Sequence, residues 1–280
     1  MPDCEIGKLG QCIEGYMDLQ LVDKRAVVTG STAGIGFAIA EALAKEGASV
    51  VINGRTERRV NEAVNKLWAS GVRGKVEGVT ADVGTVEGTN KVIRCFPGAE
   101  ILVNNAGSFE VKPFEQIDDD DWKRFFEVNV LSGVRLSRHY LRGMKERNWG
   151  RIVFISSESA LQIPAEMIRY GMTKTAQLAV SRGIAETTAG TNVTINSVLP
   201  GPTASEGVEK FVQQLAAEQN TDAVAVEREF FRTMRSTSLL KRFAKPEEVA
   251  ALVTFVCSSL SSATNGAALR VDGGVVRSIV

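Results

Sequence analysis

Thr29-Gly30-Ser31-Thr32-Ala33-Gly34-Ile35-Gly36 stands between a short apolar run, Ala26-Val27-Val28, and a segment of helical period, Phe37-Ala38-Ile39-Ala40-Glu41-Ala42-Leu43-Ala44. Strand, tight turn and helix follow one another without a gap. Glycine is required where the backbone takes positive φ, where it approaches a pyrophosphate closely, and where helix packs on strand. The helix N-terminus then meets the anion with unpaired N–H groups. A dinucleotide suits such a turn, and Gly30, Thr32, Ala33, Gly34, Ile35 and Gly36 are its candidate contacts. The Gly-Lys-Ser/Thr of a triphosphate loop is absent from it.

Outward from this turn, β-branched runs alternate with helical segments, the pattern of a doubly wound α/β fold with a parallel sheet. Further strands are predicted at 49–52, 74–79, 101–103, 151–155, 193–196 and 268–271, making a seven-stranded Rossmann-type sheet. Helices are predicted at 35–46, 57–70, 86–95, 119–146, 166–188 and 246–258. Residues 203–243 break the alternation with two amphipathic helical patterns and no strand, and read as a helical substrate lid. A single domain is expected over 17–280, with residues 1–16 a non-essential extension.

The 280 residues carry 33 basic and 33 acidic side chains, so net charge draws the chain to neither nucleic acid nor membrane. Cys4, Cys12, Cys95 and Cys257 have neither metal spacing nor disulfide density, and no apolar run is long enough to span a bilayer. A cytoplasmic protein is expected. The sole histidine, His139, sits in a helical pattern near Arg135, Arg138 and Arg142 and reads as a surface or packing residue; no metal site is expected.

Cofactor choice is written at the end of the second strand, where an Asp or Glu would bind the ribose 2′-hydroxyl of NAD. Asn53-Gly54-Arg55 stands there instead. Arg55 beside a small residue suits a 2′-phosphate, so NADP(H) is expected and NAD(H) is the alternative.

With this turn, Asn104-Asn105-Ala106-Gly107 and Tyr170-Gly171-Met172-Thr173-Lys174 in order, the chain resembles the short-chain dehydrogenase/reductase family over about residues 19–280. The subgroup it is most like is typified by 3-oxoacyl carrier-protein reductases. Ser157 lies thirteen positions before Tyr170 and Lys174 four after it, and Asn129 stands in Val128-Asn129-Val130. The resemblance implies that these four are the catalytic set, with Asn129 holding a water that links Lys174 to solvent. It further implies cofactor contacts from Asp82 and Val83 near the adenine, and from Asn105, Ala106 and Gly107 along the ribose and phosphates. Pro200, Gly201 and Thr203 would lie near the nicotinamide, together with Tyr170 and Lys174; Ser205 could fill the role of Thr203. A homotetramer, or a homodimer, is implied through the long middle helices.

Tyrosine and lysine at i and i+4 share a helix face. A free phenol, with a pKa of about 10, is a poor base at neutral pH, and a nearby lysine together with an oxidised nicotinamide would lower it. In reduction the carbonyl carbon takes hydride, its oxygen takes the Tyr170 proton, and Ser157 hydrogen-bonds that oxygen. The expected partner is a small carbonyl or alcohol. Two rivals stand beside this reading: an NAD-dependent alcohol dehydrogenase of the same family, and a non-catalytic NADP(H)-binding sensor.

Glu158, directly after Ser157, and Glu166, on the approach to Tyr170, either line the pocket and disfavour anions or face solvent and arginines such as Arg169. Lys210, Arg228, Arg232, Arg235, Lys241 and Arg242 around the lid are diluted by neighbouring glutamates. A free carbonyl compound therefore ranks above an acyl-carrier substrate.

Overall fold

Successive residues of each strand enter opposite layers. In β1 (Arg25–Val28) Ala26 and Val28 enter one core and Val27 the other; β4 (Ile101–Asn104) and β5 (Gly150–Ile155) repeat the division. Both faces of the sheet are covered, and for this reason the strands read as unbroken apolar runs. The computed structural model describes residues 17–218 and 220–279. The predicted 1–16 extension lies outside them.

Seven parallel strands, completed by β2 (Ser49–Gly54), β3 (Val76–Thr80), β6 (Val193–Pro200) and β7 (Ala268–Val271), run in the order β3-β2-β1-β4-β5-β6-β7. Helices α1 (Gly34–Lys45), α2 (Glu57–Ala69) and α9 (Pro246–Cys257) cover one face through Ile39, Leu43, Val60, Leu67, Val249 and Val253. The opposite face is covered by α3 (Val86–Cys95), α5 (Ser132–Glu146) and α6 (Ile168–Glu186), through Val92, Leu136, Tyr140, Met144 and Ala185. The chain winds outward from β1 to β3 and then returns to β4 on the other side of β1. A ligand crevice forms at such a reversal, beyond the carboxyl ends of the strands.

The helix predicted over 119–146 is not continuous. It divides into α4 (Asp119–Phe126), a π turn (Glu127–Leu131) and α5. The widened turn carries Asn129, whose amide is held by Ser108 from the loop after β4 and by Thr173 from α6. One extra residue in a turn leaves almost no trace in apolar periodicity, yet such turns recur at functional sites. The third strand also begins two residues later than predicted, because the Arg73 and Gly74 amides donate to the Ala44 carbonyl of α1 rather than to β2.

The insertion after β6 has the two expected helices, α7 (Glu206–Glu218) and α8 (Ala223–Thr233), and no strand among the described residues. Val212, Ala216 and Val226 give it a small core of its own, with Phe243 packed against it. The Thr203–Ala244 bridge closes its base. No helix among the described residues is long and apolar enough to cross a membrane.

Candidate active site

The glycine turn is latched from both sides. Asn105 Nδ2 donates to the Thr29 and Gly30 carbonyls (2.9 and 3.0 Å), and the amides of Asn105 and Ala106 donate to Thr29 Oγ1. From β2, Asn53 Oδ1 accepts from Gly30 N at 3.2 Å. Gly30 and Gly34 have φ of +60° and +57°, and no side chain caps α1. Its first N–H groups are therefore available to an anion, and its first turn carries no carboxylate to repel one. A Cβ on Gly36 would lie 2.4 Å from Asn105 Nδ2 and 2.5 Å from the Gly30 oxygen.

Gly36→Ala should therefore force the turn apart, costing about 1–3 kcal/mol of stability as overpacking does, and weaken dinucleotide binding. Urea unfolding and nucleotide titration read the two effects. Wild-type behaviour in both would remove this turn from the cofactor site.

At the second strand, Asn53 is buried, and its Nδ2 donates to the Val79 and Ala81 carbonyls. Its amide ties the glycine turn to β3. Arg55 is exposed and makes no ion pair with the described residues, so its guanidinium is available to an anion. Asp82 closes its own loop by accepting from Gly84 N, and Val83 beside it is buried. These features fit a nicotinamide dinucleotide.

Ser157, Tyr170 and Lys174 face one cavity of roughly 450 Å³, which Ile35, Asn105, Gly107, Pro200, Gly201, Thr203 and Ser205 also line. Gly30, Thr32, Ala33, Gly34, Gly36, Arg55, Asp82, Val83, Ala106 and Asn129 are not in this wall. Ser157 follows β5, and Lys174 Nζ donates to the Ile155 carbonyl at 2.8 Å, joining α6 to the same strand end. Nζ lies 5.5 Å from the centre of the Tyr170 ring. Burial pushes the Tyr170 phenol well above its ordinary value; the Ser157 hydroxyl opposes this, Glu158 adds to it and Arg235 offsets it. Burial also lowers the lysine, to about 7, so Lys174 is a weakened cation.

Gln177, one turn beyond Lys174, carried no motif. It is buried, its Nε2 donates to the Asn129 carbonyl at 2.5 Å, and its Oε1 accepts from Lys174 Nζ at 3.4 Å. Asn129 and Lys174 are therefore joined through a side chain.

Glu158 lines the cavity, 5 % exposed, and pairs with Arg235 rather than Arg169. Arg169 is buried between Glu110 and Asp121 and over the Phe125 ring, clamping the loop after β4 to α6. Phe230, Met234 and Phe243 bring apolar surface from the insertion to the cavity wall.

This arrangement has counterparts. The chain matches the short chain dehydrogenase family over residues 24–227. It belongs to that family. Among its relatives, the uncharacterized oxidoreductase YvaG of Bacillus subtilis (strain 168) is 49 % identical over 263 residues, covering 94 % of this chain and all of that one. The 3-oxoacyl-[acyl-carrier-protein] reductase FabG of Aquifex aeolicus (strain VF5) is 34 % identical, covering 92 % of this chain and all of its own. Among solved structures, L-sorbose reductase from Gluconobacter frateurii, complexed with NADPH and L-sorbose, is 34 % identical with a TM-score of 0.88, covering 94 % of this chain and all of that one. This short-chain dehydrogenase is an oxidoreductase acting on CH–OH or carbonyl groups with a nicotinamide cofactor.

Proposed function

We propose that this dehydrogenase is NADP(H)-dependent and interconverts a carbonyl compound and its secondary alcohol, with Tyr170 as general acid/base. The observation that carries the reading is the meeting of Ser157, Tyr170 and Lys174 at one cavity beside the latched glycine turn. Gly30, Thr32, Ala33, Gly34, Ile35 and Gly36 would hold the pyrophosphate, and Arg55 the 2′-phosphate. Asp82 and Val83 would bound the adenine; Asn105, Ala106 and Gly107 the ribose; Pro200, Gly201 and Thr203 the nicotinamide. The nicotinamide supplies or takes the hydride. Tyr170 gives its proton to the carbonyl oxygen in reduction, and its high pKa keeps that proton in place at neutral pH. Ser157 steadies the same oxygen, while Lys174, held by Ile155 and Gln177, positions the ribose. The two-helix insertion serves as lid. Outer faces of α4 to α6 would carry a homotetramer or dimer in the cytoplasm, where no nucleic acid or membrane is required as partner.

The similarity to an NADPH-bound reductase supports the cofactor choice. Fluorescence titration should give NADPH an affinity roughly tenfold or more above NADH, the worth of a hydrogen bond to a charged group, and Arg55→Ala should narrow the gap. Tighter NADH binding would favour the NAD-dependent rival. Binding without turnover of any carbonyl would favour the sensor.

A further inference from the structure

Glu158 Oε2 accepts from Ser157 Oγ (2.5 Å), Ser159 N (2.8 Å) and Ser159 Oγ (3.1 Å), and its Oε1 accepts from Arg235 Nε (3.0 Å). Arg235, just beyond α8, donates from one terminal nitrogen to the Met234 carbonyl and holds it 3.6 Å from Glu166. Its other terminal nitrogen has no protein partner among the described residues. Both side chains of the pair line the cavity, beside the apolar Phe230, Met234 and Phe243 and the carboxylate of Glu166. A buried ion pair is an uneconomical way to fill such a wall, because apolar residues do so without desolvating charge.

Ser157 has a single hydroxyl hydrogen, and the Glu158 carboxylate competes for it with the Tyr170 oxygen. That hydrogen must be redirected before Ser157 can donate to a carbonyl oxygen. A hydroxyl on the carbon next to the carbonyl does this. It donates to Glu158 Oε2 in place of Ser157, while its own oxygen accepts from the unpartnered nitrogen of Arg235. The two oxygens of a hydroxyketone are about one hydrogen-bond length apart, which matches the spacing of Ser157 Oγ and Glu158 Oε2. One guanidinium between two carboxylates leaves a local negative balance, so a substrate carboxylate is disfavoured at the same place.

Resting on the oxidoreductase function proposed above, we infer that Glu158 and Arg235 form a recognition site for a hydroxyl adjacent to the reacting carbon, and that the substrate is an uncharged hydroxy carbonyl compound or the matching vicinal diol. In reduction the C=O π bond opens, hydride from NADPH forms the C–H bond and the Tyr170 proton forms the O–H bond. NADPH becomes NADP⁺, the proton is replaced from solvent, and the neighbouring hydroxyl is unchanged.

Acetoin, butanone and pyruvate test the idea as three ketones of similar size. With NADPH, kcat/KM for acetoin should exceed that for butanone roughly 10–100-fold, the effect of one hydrogen bond to a charged group, with pyruvate lowest. Glu158→Gln keeps the shape and should compress the acetoin-to-butanone ratio about tenfold. Should that variant fail to fold, Arg235→Met should compress the ratio in the same direction. A wild-type ratio near unity, or a ratio unchanged in the folded variants, overturns the proposal. Absence of turnover for every carbonyl with either cofactor defeats the oxidoreductase proposal instead. Saturation-transfer NMR of glycerol against isopropanol then reads the site directly: a glycerol preference lost in Glu158→Gln supports it, and equal binding overturns it.

Discussion

Tyr170→Phe should lower turnover by roughly 10²–10⁴-fold, the usual contribution of a positioned general acid or base, while nucleotide affinity stays close to that of the wild type. Only an oxygen is removed from the cavity wall, and Lys174 keeps its bond to the Ile155 carbonyl. The pH dependence gives the assignment its sign. Burial raises the phenol above its ordinary value, so the protonated acid needed for reduction persists through the neutral range and beyond. Oxidation needs the phenolate, which is scarce at neutral pH. In the wild type, kcat/KM for alcohol oxidation should rise between pH 7 and 10, whereas ketone reduction should be nearly flat until the alkaline end. Tyr170→Phe should abolish that slope along with the rate. Near-normal turnover in the variant, or an unchanged slope in its residual activity, would take the proton-transfer role away from Tyr170.

What the sequence made legible was whatever is contiguous. Thr29 to Gly36 and Tyr170 to Lys174 are short, and each performs its task through neighbours along the chain: a turn feeding a helix, and two side chains one turn apart. The strands were legible for a similar reason, since burial of both sheet faces turns Val50-Val51-Ile52 or Ile152-Val153-Phe154-Ile155 into uninterrupted apolar runs. What escaped depends on partners far along the chain. Glu158 meets Arg235 across 77 positions and Asn129 meets Thr173 across 44. Neither separation leaves a pattern that periodicity detects. Gln177 escaped because a polar residue on an otherwise mixed helix looks like any other until its two partners are seen. The broken helix around Asn129 escaped because a π turn shifts the helical phase by a single residue. Asn53 shows the same limit: its position at the strand end was visible, but not that its side chain turns inward to hold the glycine turn.

Lys174→Met should abolish most turnover and yet produce a more stable protein at or below neutral pH. The lysine is 4 % exposed, and burial lowers its pKa to about 7, against 10.5 in water. The sign follows from proton counting. Between those values the unfolded chain binds more protons than the folded one, so stability rises with pH across the window. Below about pH 7 both states are protonated, and the whole cost of burying the ammonium is borne by the fold. At about 1.4 kcal/mol per pKa unit, that cost reaches several kcal/mol. Methionine fills the same space without charge, but leaves the Ile155 carbonyl without the hydrogen bond it accepts from Nζ, a loss of about 1–3 kcal/mol. The net gain at pH 6 should be about 1–3 kcal/mol, or a few degrees in melting temperature for a chain of this size. The advantage should shrink as pH climbs from 7 towards 10, where the wild-type lysine is neutral in the fold at progressively less cost. Thermal melts of both proteins across this range, without added nucleotide, measure the difference. Curves that move in parallel, or a variant that melts lower at pH 6, would show that Lys174 is not held at a cost. The predicted outcome, a lysine whose removal strengthens the fold and silences the enzyme, is what distinguishes a side chain retained for chemistry from one retained for packing.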